Sequence, residues 1–242
     1  MDAPGGRPAG LPEFGKRKMS MRIVVTGAAG ALGRVVSETL AEAGWTVLAV
    51  DRAESGFAEH ARIQPVGGAD LIDGEATAAL AQRLKAEGEI AGLVNIAGGF
   101  TWETLFDGDP ASWDKMFALN LKTAMNACRA FAPDMPDERG AIVNIGAAGA
   151  LKAGMGMGAY AASKSGVHRL TEALAEELKP RRIRVNAVLP SIIDTPANRA
   201  DMPDADPSDW VTAQELAAVI AFLVSEAASG VTGALVPVTG RV

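Results

Sequence analysis

Arg22-Ile23-Val24-Val25-Thr26-Gly27-Ala28-Ala29-Gly30-Ala31-Leu32-Gly33 decides the architecture of this chain. Its first five residues form a β-branched run of the kind that fills a buried strand. Three glycines at intervals of three follow, and residues 35–43 then carry the spacing of a helix closed by Gly44. Thr46-Val47-Leu48-Ala49-Val50 is the next strand, with Asp51 at its C-terminal end. A strand, a glycine turn, a helix and a strand ending in an acid form a unit with a chemical use. Glycine lets the backbone approach a pyrophosphate, and the helix N-terminus offers free N–H groups at the positive end of its dipole. Asp51 lies eighteen residues beyond Gly33, where a carboxylate accepts both hydroxyls of a ribose.

The spacing Gly27-x-x-Gly30-x-x-Gly33 departs from the usual Gly-x-Gly-x-x-Gly, and a tight strand-to-helix turn without a ligand is the competing reading. The flanking strand and the acid favour a bound nucleotide, with Ala31 and Leu32 inside the turn. A carboxylate at Asp51 repels a ribose 2′-phosphate, so NAD(H) is favoured. Arg52 beside it accommodates such a phosphate and keeps NADP(H) open.

Outward from this unit, residues 63–71 read as a third strand ending in a polar turn. There Asp70, with Leu71 beside it, either meets an adenine amino group or caps a turn. Residues 74–87 are an alanine-rich helix. Residues 92–99 read as a fourth strand whose small terminal residues, Ala97 and Gly98, leave room for a cofactor against the backbone. Asn95 within it is expected to tie adjacent strands. Residues 109–131 read as one long helix. Asn120 in its apolar stretch is a buried amide that needs partners, or the site of a kink. Residues 140–145, 184–189 and 235–238 supply three more strands. The alternation predicts a single α/β domain of Rossmann type over residues 21–242. It is doubly wound, with a mostly parallel seven-stranded sheet, helices on both faces and a ligand crevice at the carboxyl ends of the strands.

Composition excludes several functions. The 242 residues are 48% hydrophobic with a net charge of −6, which argues against a nucleic-acid surface. The one cysteine, Cys128, forms no internal disulfide, and His60 and His168 stand far apart, so no metal site is expected. No apolar run has the length of a membrane span. Residues 1–20 are rich in Pro and Gly, end near Lys16-Arg17-Lys18 and lack the apolar core of a secretory signal. They read as a flexible N-terminal extension, and a cytoplasmic location is expected.

The chemistry lies in Gly158-Ala159-Tyr160-Ala161-Ala162-Ser163-Lys164-Ser165-Gly166. Four residues apart on a helix, Tyr160 and Lys164 share a face. A lysine ammonium beside a phenol stabilises the phenolate and lowers its pKa, which makes the tyrosine a proton donor or acceptor for a substrate oxygen or nitrogen. A surface Tyr and Lys on an ordinary amphipathic helix is the plain alternative.

In this order and spacing the pieces resemble the short-chain dehydrogenase/reductase family over about residues 22–241. The match rests on residues 26–33, Asp51, Asp70, Asn95-Ile96-Ala97-Gly98, Asn120, Tyr160-x-x-x-Lys164 and Pro190-Ser191-Ile192-Ile193-Asp194-Thr195. The resemblance implies an NAD(P)-dependent oxidoreductase with a small-molecule substrate, assembled as a homodimer or homotetramer. It implies that Tyr160 is the general acid/base, that Lys164 holds the nicotinamide ribose and tunes Tyr160, and that Asn120 supports a water-linked proton path. Pro190, Ile193 and Thr195 would lie along the nicotinamide.

The family's serine, thirteen residues before the tyrosine, is Ala147 here. Loss of one oriented donor to a developing oxyanion costs roughly 10²–10³-fold in rate. Dihydropteridine reductases resemble this family, reduce a quinonoid pterin with NADH and also lack the serine. The glycine turn and residues 189–210, including Met202-Pro203 and Trp210, are similar to theirs, whereas Asn120 is not. A substrate lid is therefore expected around residues 195–212, with Ala147, Tyr160 and Trp210 at the substrate. The open readings are hydride transfer to a quinonoid dihydropteridine-like substrate, a carbonyl or hydroxyl dehydrogenase, and a non-catalytic nucleotide-binding sensor.

Overall fold

Buried β-branched runs dictate the centre of the molecule. A computed structural model describes residues 21–242, and the expected N-terminal extension lies outside them. The strands are β1 (Arg22–Thr26), β2 (Thr46–Val50), β3 (Ile63–Val66), β4 (Ile90–Asn95), β5 (Ala141–Ile145), β6 (Arg184–Pro190) and β7 (Leu235–Val238). They form one sheet in the order β3-β2-β1-β4-β5-β6-β7 with every pair parallel. Winding runs one way from β1 to β3 and the other way from β4 onward. The switch point therefore falls between the carboxyl ends of β1 and β4, where a crevice opens.

Alternate residues of each strand serve opposite faces. Ile23, Val25, Val47, Ala49 and Val143 pack with α1 (Ala31–Glu42) and α7 (Ala213–Val224). Val24, Leu48, Val50 and Ile142 pack with α2 (Gly74–Ala86), α4 (Thr123–Phe131) and α5 (Gly158–Leu178). Both faces are apolar, as a doubly covered parallel sheet requires.

Four boundaries differ from expectation for physical reasons. Helix α1 starts at Ala31 rather than at residue 35, so Gly33 is helical. A Cβ there would stand 2.0 Å from the Gly27 carbonyl oxygen, and the turn closes only on glycine. Strand β3 stops at Val66, because Gly67 and Gly68 pack against Glu54 and Gly68 takes a φ of +69°. Strand β4 runs from Ile90 to Asn95, leaving Ala97 and Gly98 beyond the sheet. The expected long helix is α3 (Ala111–Met116), a π-helical segment at Phe117–Lys122, and α4. Asn120 lies in that wide turn, a distortion that accompanies functional sites. Asn95 does tie strands: its Nδ2 donates to Asn144 Oδ1 at 2.8 Å across β4 and β5.

Candidate active site

The crevice begins at the glycine turn. Gly27, at a φ of +67°, lies so close to the end of β4 that a Cβ would stand 2.8 Å from the Ala97 nitrogen. Gly30 caps α1 with no side-chain hydrogen bond, and the first turn of α1 holds no acidic residue. Free N–H groups thus face the groove with the helix's positive end. The Asp51 carboxylate is held open toward it, accepting from the Ala29 N–H at 3.0 Å and the Ala53 N–H at 2.9 Å.

A groove of about 370 Å³ follows this floor. It is lined by Gly27, Gly30, Ala31, Leu32, Gly33, Asp51, Arg52, Asp70, Leu71, Ala97, Gly98 and Thr195, all expected from sequence. Ile96, quoted within the family match, also lines it, as do Ala69, Ile72, Leu119 and Thr123, which had no role in the sequence reading, being ordinary apolar residues or, for Thr123, a helical threonine. Asp70 occupies a turn as well, accepting from the Ile72 N–H at 2.9 Å, while Asp73 is the residue that caps α2. Pro190 ends β6, and Ile193 packs on the core beneath the sheet's rim. Neither lines the groove, in contrast to Thr195.

The dinucleotide-shaped floor, the acid at the ribose position and the uncapped helix end fit a pyridine dinucleotide. At the groove's inner end, Lys164 Nζ would stand 3.5 Å from a Cβ on Gly98 and donates to the Ile145 carbonyl at 2.7 Å. Asn120 bridges three segments. Its Oδ1 accepts from the Gly99 N–H at 2.9 Å, and its Nδ2 donates to Ser163 Oγ at 2.9 Å and to the Gly99 carbonyl at 3.1 Å. Ser163 Oγ in turn donates to the Tyr160 carbonyl at 2.7 Å. The partners that a buried Asn120 needs are thereby supplied, and the wide π turn is what aims the amide at Gly99. Ser163 went unnoticed, although it stands beside Lys164 in the decisive stretch.

One expectation is corrected here. Burial, rather than the Tyr160–Lys164 pairing, sets the direction in which both groups are shifted. Burial pushes the phenol up to about 12 and the lysine down to about 8, since desolvation penalises both charged forms.

On the substrate side, Ala147 is 3% exposed with an extended backbone. Trp210 is also 3% exposed and packed in the protein, so its indole has no open face for a substrate. Its burial instead anchors residues 195–212 to the body, helped by the Ile193–Val211 bridge. The phenyl ring of Phe100 meets the Tyr160 ring edge to face at a centroid distance of 4.9 Å. Burial pushes the Cys128 thiol up to about 12 and leaves it inert. Among the described residues no group of three His, Cys, Asp or Glu could hold a metal ion, and no helix is long and apolar enough to cross a membrane.

A doubly wound sheet with a glycine-floored dinucleotide groove ending at a Tyr/Lys/Asn set defines an NAD(P)-dependent oxidoreductase. The chain belongs to the short-chain dehydrogenase family, whose profile, described as short chain dehydrogenase, matches residues 21–206. It is 36% identical to a galactitol 2-dehydrogenase of Rhizobium johnstonii over 241 residues, covering 90% of this chain and 93% of that protein. It is 32% identical to a 3-oxoacyl-[acyl-carrier-protein] reductase of Pseudomonas aeruginosa, with 90% and 95% covered. Among solved structures it is similar to a 3-ketoacyl-(acyl-carrier-protein) reductase from Brucella melitensis complexed with NADH. That match has a TM-score of 0.80 and 26% identity, and covers 91% of this chain and 98% of that one.

Proposed function

We propose that the chain reduces a small carbonyl or imine-like substrate, with Tyr160 as proton donor. The observation that carries this is the placement of Lys164. One helical turn from Tyr160, it reaches the groove's end at Gly98 while anchored to the Ile145 carbonyl. NAD(P)H, which the glycine turn, Asp51 and Lys164 would hold, would supply the hydride to the substrate carbon and be oxidised in return. Tyr160 gives its hydroxyl proton to the substrate oxygen or nitrogen. Burial alone, which raises the phenol, makes it a weaker acid, so the donor role depends on stabilising the phenolate as the proton leaves. The phenolate left behind is stabilised by a protonated Lys164, which also holds the nicotinamide ribose. Asn120 and Ser163 keep the Tyr160 turn of α5 in register with the Gly98–Gly99 loop.

Asp51 supports NAD(H) over NADP(H), since a carboxylate beside the ribose would repel a 2′-phosphate. Ala147 supports an acceptor that needs no serine hydroxyl, for which a quinonoid dihydropterin is the class suggested by resemblance. The names of the relatives support a carbonyl or hydroxyl substrate instead. Family membership and the complete Tyr160/Lys164/Asn120 set both weigh against a nucleotide sensor without turnover. Residues 195–212 suit a substrate lid, because Thr195 caps the short helix Pro196–Asp201 at the groove's mouth. Exposed Trp113 and Phe117 suit a homodimer or homotetramer. A cytoplasmic location is the reading we adopt.

The test compares wild type with Tyr160→Phe, following NADH oxidation with a quinonoid dihydropterin and with ketones. The expected outcome is a fall in kcat of about 10²–10⁴-fold with NADH affinity retained. Equal turnover by the variant would overturn the role given to Tyr160.

A further inference from the structure

The segment after β4 carries two aromatic rings whose exposure serves no packing purpose. Phe100 is 55% exposed and makes a T-shaped contact with the ring of Tyr160. Trp102 is 56% exposed and lies flat against the loop that leads into α5. That seat is built for it. A Cβ on Gly156 would stand 2.2 Å from the Trp102 indole, and Gly156 holds a φ of +75°, so only glycine lets the ring down onto the backbone. The Glu103 N–H, next in the chain, donates to the Gly156 carbonyl at 2.9 Å and pins the segment there.

Polar side chains of the same segment are turned to other work. Thr104 Oγ1 donates to Asp107 at 2.6 Å and accepts from the Asp107 N–H, and the Glu103 carboxylate folds over Gly108. Position 147 carries a buried methyl group where a hydroxyl is expected. Beside the Tyr160 ring this segment thus offers an aromatic neighbour, Phe100, rather than a polar one.

We propose that the substrate is a flat aromatic or conjugated compound whose reducible C=O or C=N group is attached to the ring system, and that Phe100 and Trp102 form the wall on which it lies. This rests on the reading of Tyr160 as proton donor. A ring laid along the wall buries apolar area against two π faces. A polyol or ketose would instead lose hydrogen bonds to water there and find few replacements. Holding the ring also orients the group beside it toward Tyr160, which offsets the donor lost at Ala147.

The experiment measures kcat/KM with NADH for acetophenone, 2-butanone and L-tagatose, and repeats the first two with Trp102→Ala and Phe100→Leu. Both side chains are more than half exposed, so their replacement spares the core. Saturation-transfer NMR in the presence of NAD⁺ follows acetophenone binding independently of turnover. The expected result is a preference for acetophenone over the other two. The acetophenone/2-butanone ratio should fall about tenfold in Trp102→Ala. Equal or better use of L-tagatose, or a ratio untouched by both variants, overturns the proposal. If nothing is turned over but acetophenone binds and loses binding in Trp102→Ala, the wall stands and the reductase reading falls. If acetophenone neither binds nor reacts, the wall is refuted.

Discussion

Ala147 donates its backbone N–H to Nε2 of the buried His168 at 3.3 Å. Below it, His168 presses so closely on Gly146 that a Cβ there would stand 2.5 Å from the same nitrogen. Burial, then Arg169 and Lys164, hold the imidazole below its usual pKa, so it stays neutral and keeps its lone pair for Ala147. The backbone at the missing serine is therefore held from beneath. A hydroxyl added at position 147 would be delivered to a fixed place. Ala147→Ser is expected to raise kcat on a simple ketone by about 10²-fold, with a smaller change in KM. The measurement is NADH oxidation at saturating ketone. An unchanged kcat would mean that this loop does not face the reacting carbonyl.

The Asp51 carboxylate accepts from two backbone N–H groups, of Ala29 and Ala53, and in the proposed function it also meets the cofactor's ribose. In Asp51→Ser the carboxylate that would accept ribose hydroxyls is lost, and Arg52 loses the acid next to it in the chain, with Asp70 the acid remaining in the groove lining. Hydrogen bonds to a charged group are worth about 1.5–3 kcal/mol, so the NADH/NADPH preference should move by roughly 10–100-fold toward NADPH. Dissociation constants for both cofactors, taken from nicotinamide fluorescence, check this. A parallel weakening of both would show that Asp51 only supports the turn.

The sheet was legible because buried strands announce themselves as short β-branched runs, and the groove because glycine is demanded at close approaches such as Gly27 and Gly33. What escaped was set by three-dimensional contact rather than composition. The π turn at Phe117–Lys122 is written in no local preference; it coincides with the bonds Asn120 makes to Gly99 and Ser163 together. Trp210 looked like a substrate contact because it stands in a proline-rich loop, yet the loop turns its indole inward. His168 could have been found, since 160, 164 and 168 follow one another on a single helix face. The burial of Tyr160 and Lys164 was not legible, because the spacing of two residues says nothing of it.

That burial has a consequence for stability. Lys164 loses its proton near pH 8 in the folded chain, against an ordinary value of 10.5. Between these values the unfolded chain binds more protons than the folded one, so stability rises with pH across that window. Tyr160 works the other way at higher pH. Its folded value of about 12 exceeds the ordinary 10.0, the folded chain binds more protons between them, and stability falls there. Lys164→Met abolishes the lysine's share. Urea midpoints at pH 7.5 and 9.5 should show wild type gaining on the variant as pH rises. Groups common to both proteins cancel in that difference, and a constant gap would refute the burial argument.

The last prediction concerns what holds α5 against the sheet. Asn95 Nδ2 donates to Asn144 Oδ1 at 2.8 Å, Asn144 Nδ2 donates to Thr171 Oγ1 at 2.9 Å, and Thr171 Oγ1 donates to the Val167 carbonyl at 2.8 Å. All three side chains are buried, and the chain of bonds runs from β4 through β5 into the helix that carries Tyr160 and Lys164. Thr171→Val keeps the shape and removes the acceptor, stranding the Asn144 amide away from water. A stranded buried donor costs about 1–3 kcal/mol, which in a domain of this size lowers Tm by about 5 °C. Thr171→Ser keeps the hydroxyl and should cost less, although it removes a methyl group. Calorimetry on the two variants separates the causes. If valine and serine cost the same, packing rather than the hydrogen bond governs the position. If valine costs more, and kcat falls with it, the polar chain also sets the register of Tyr160 over the groove.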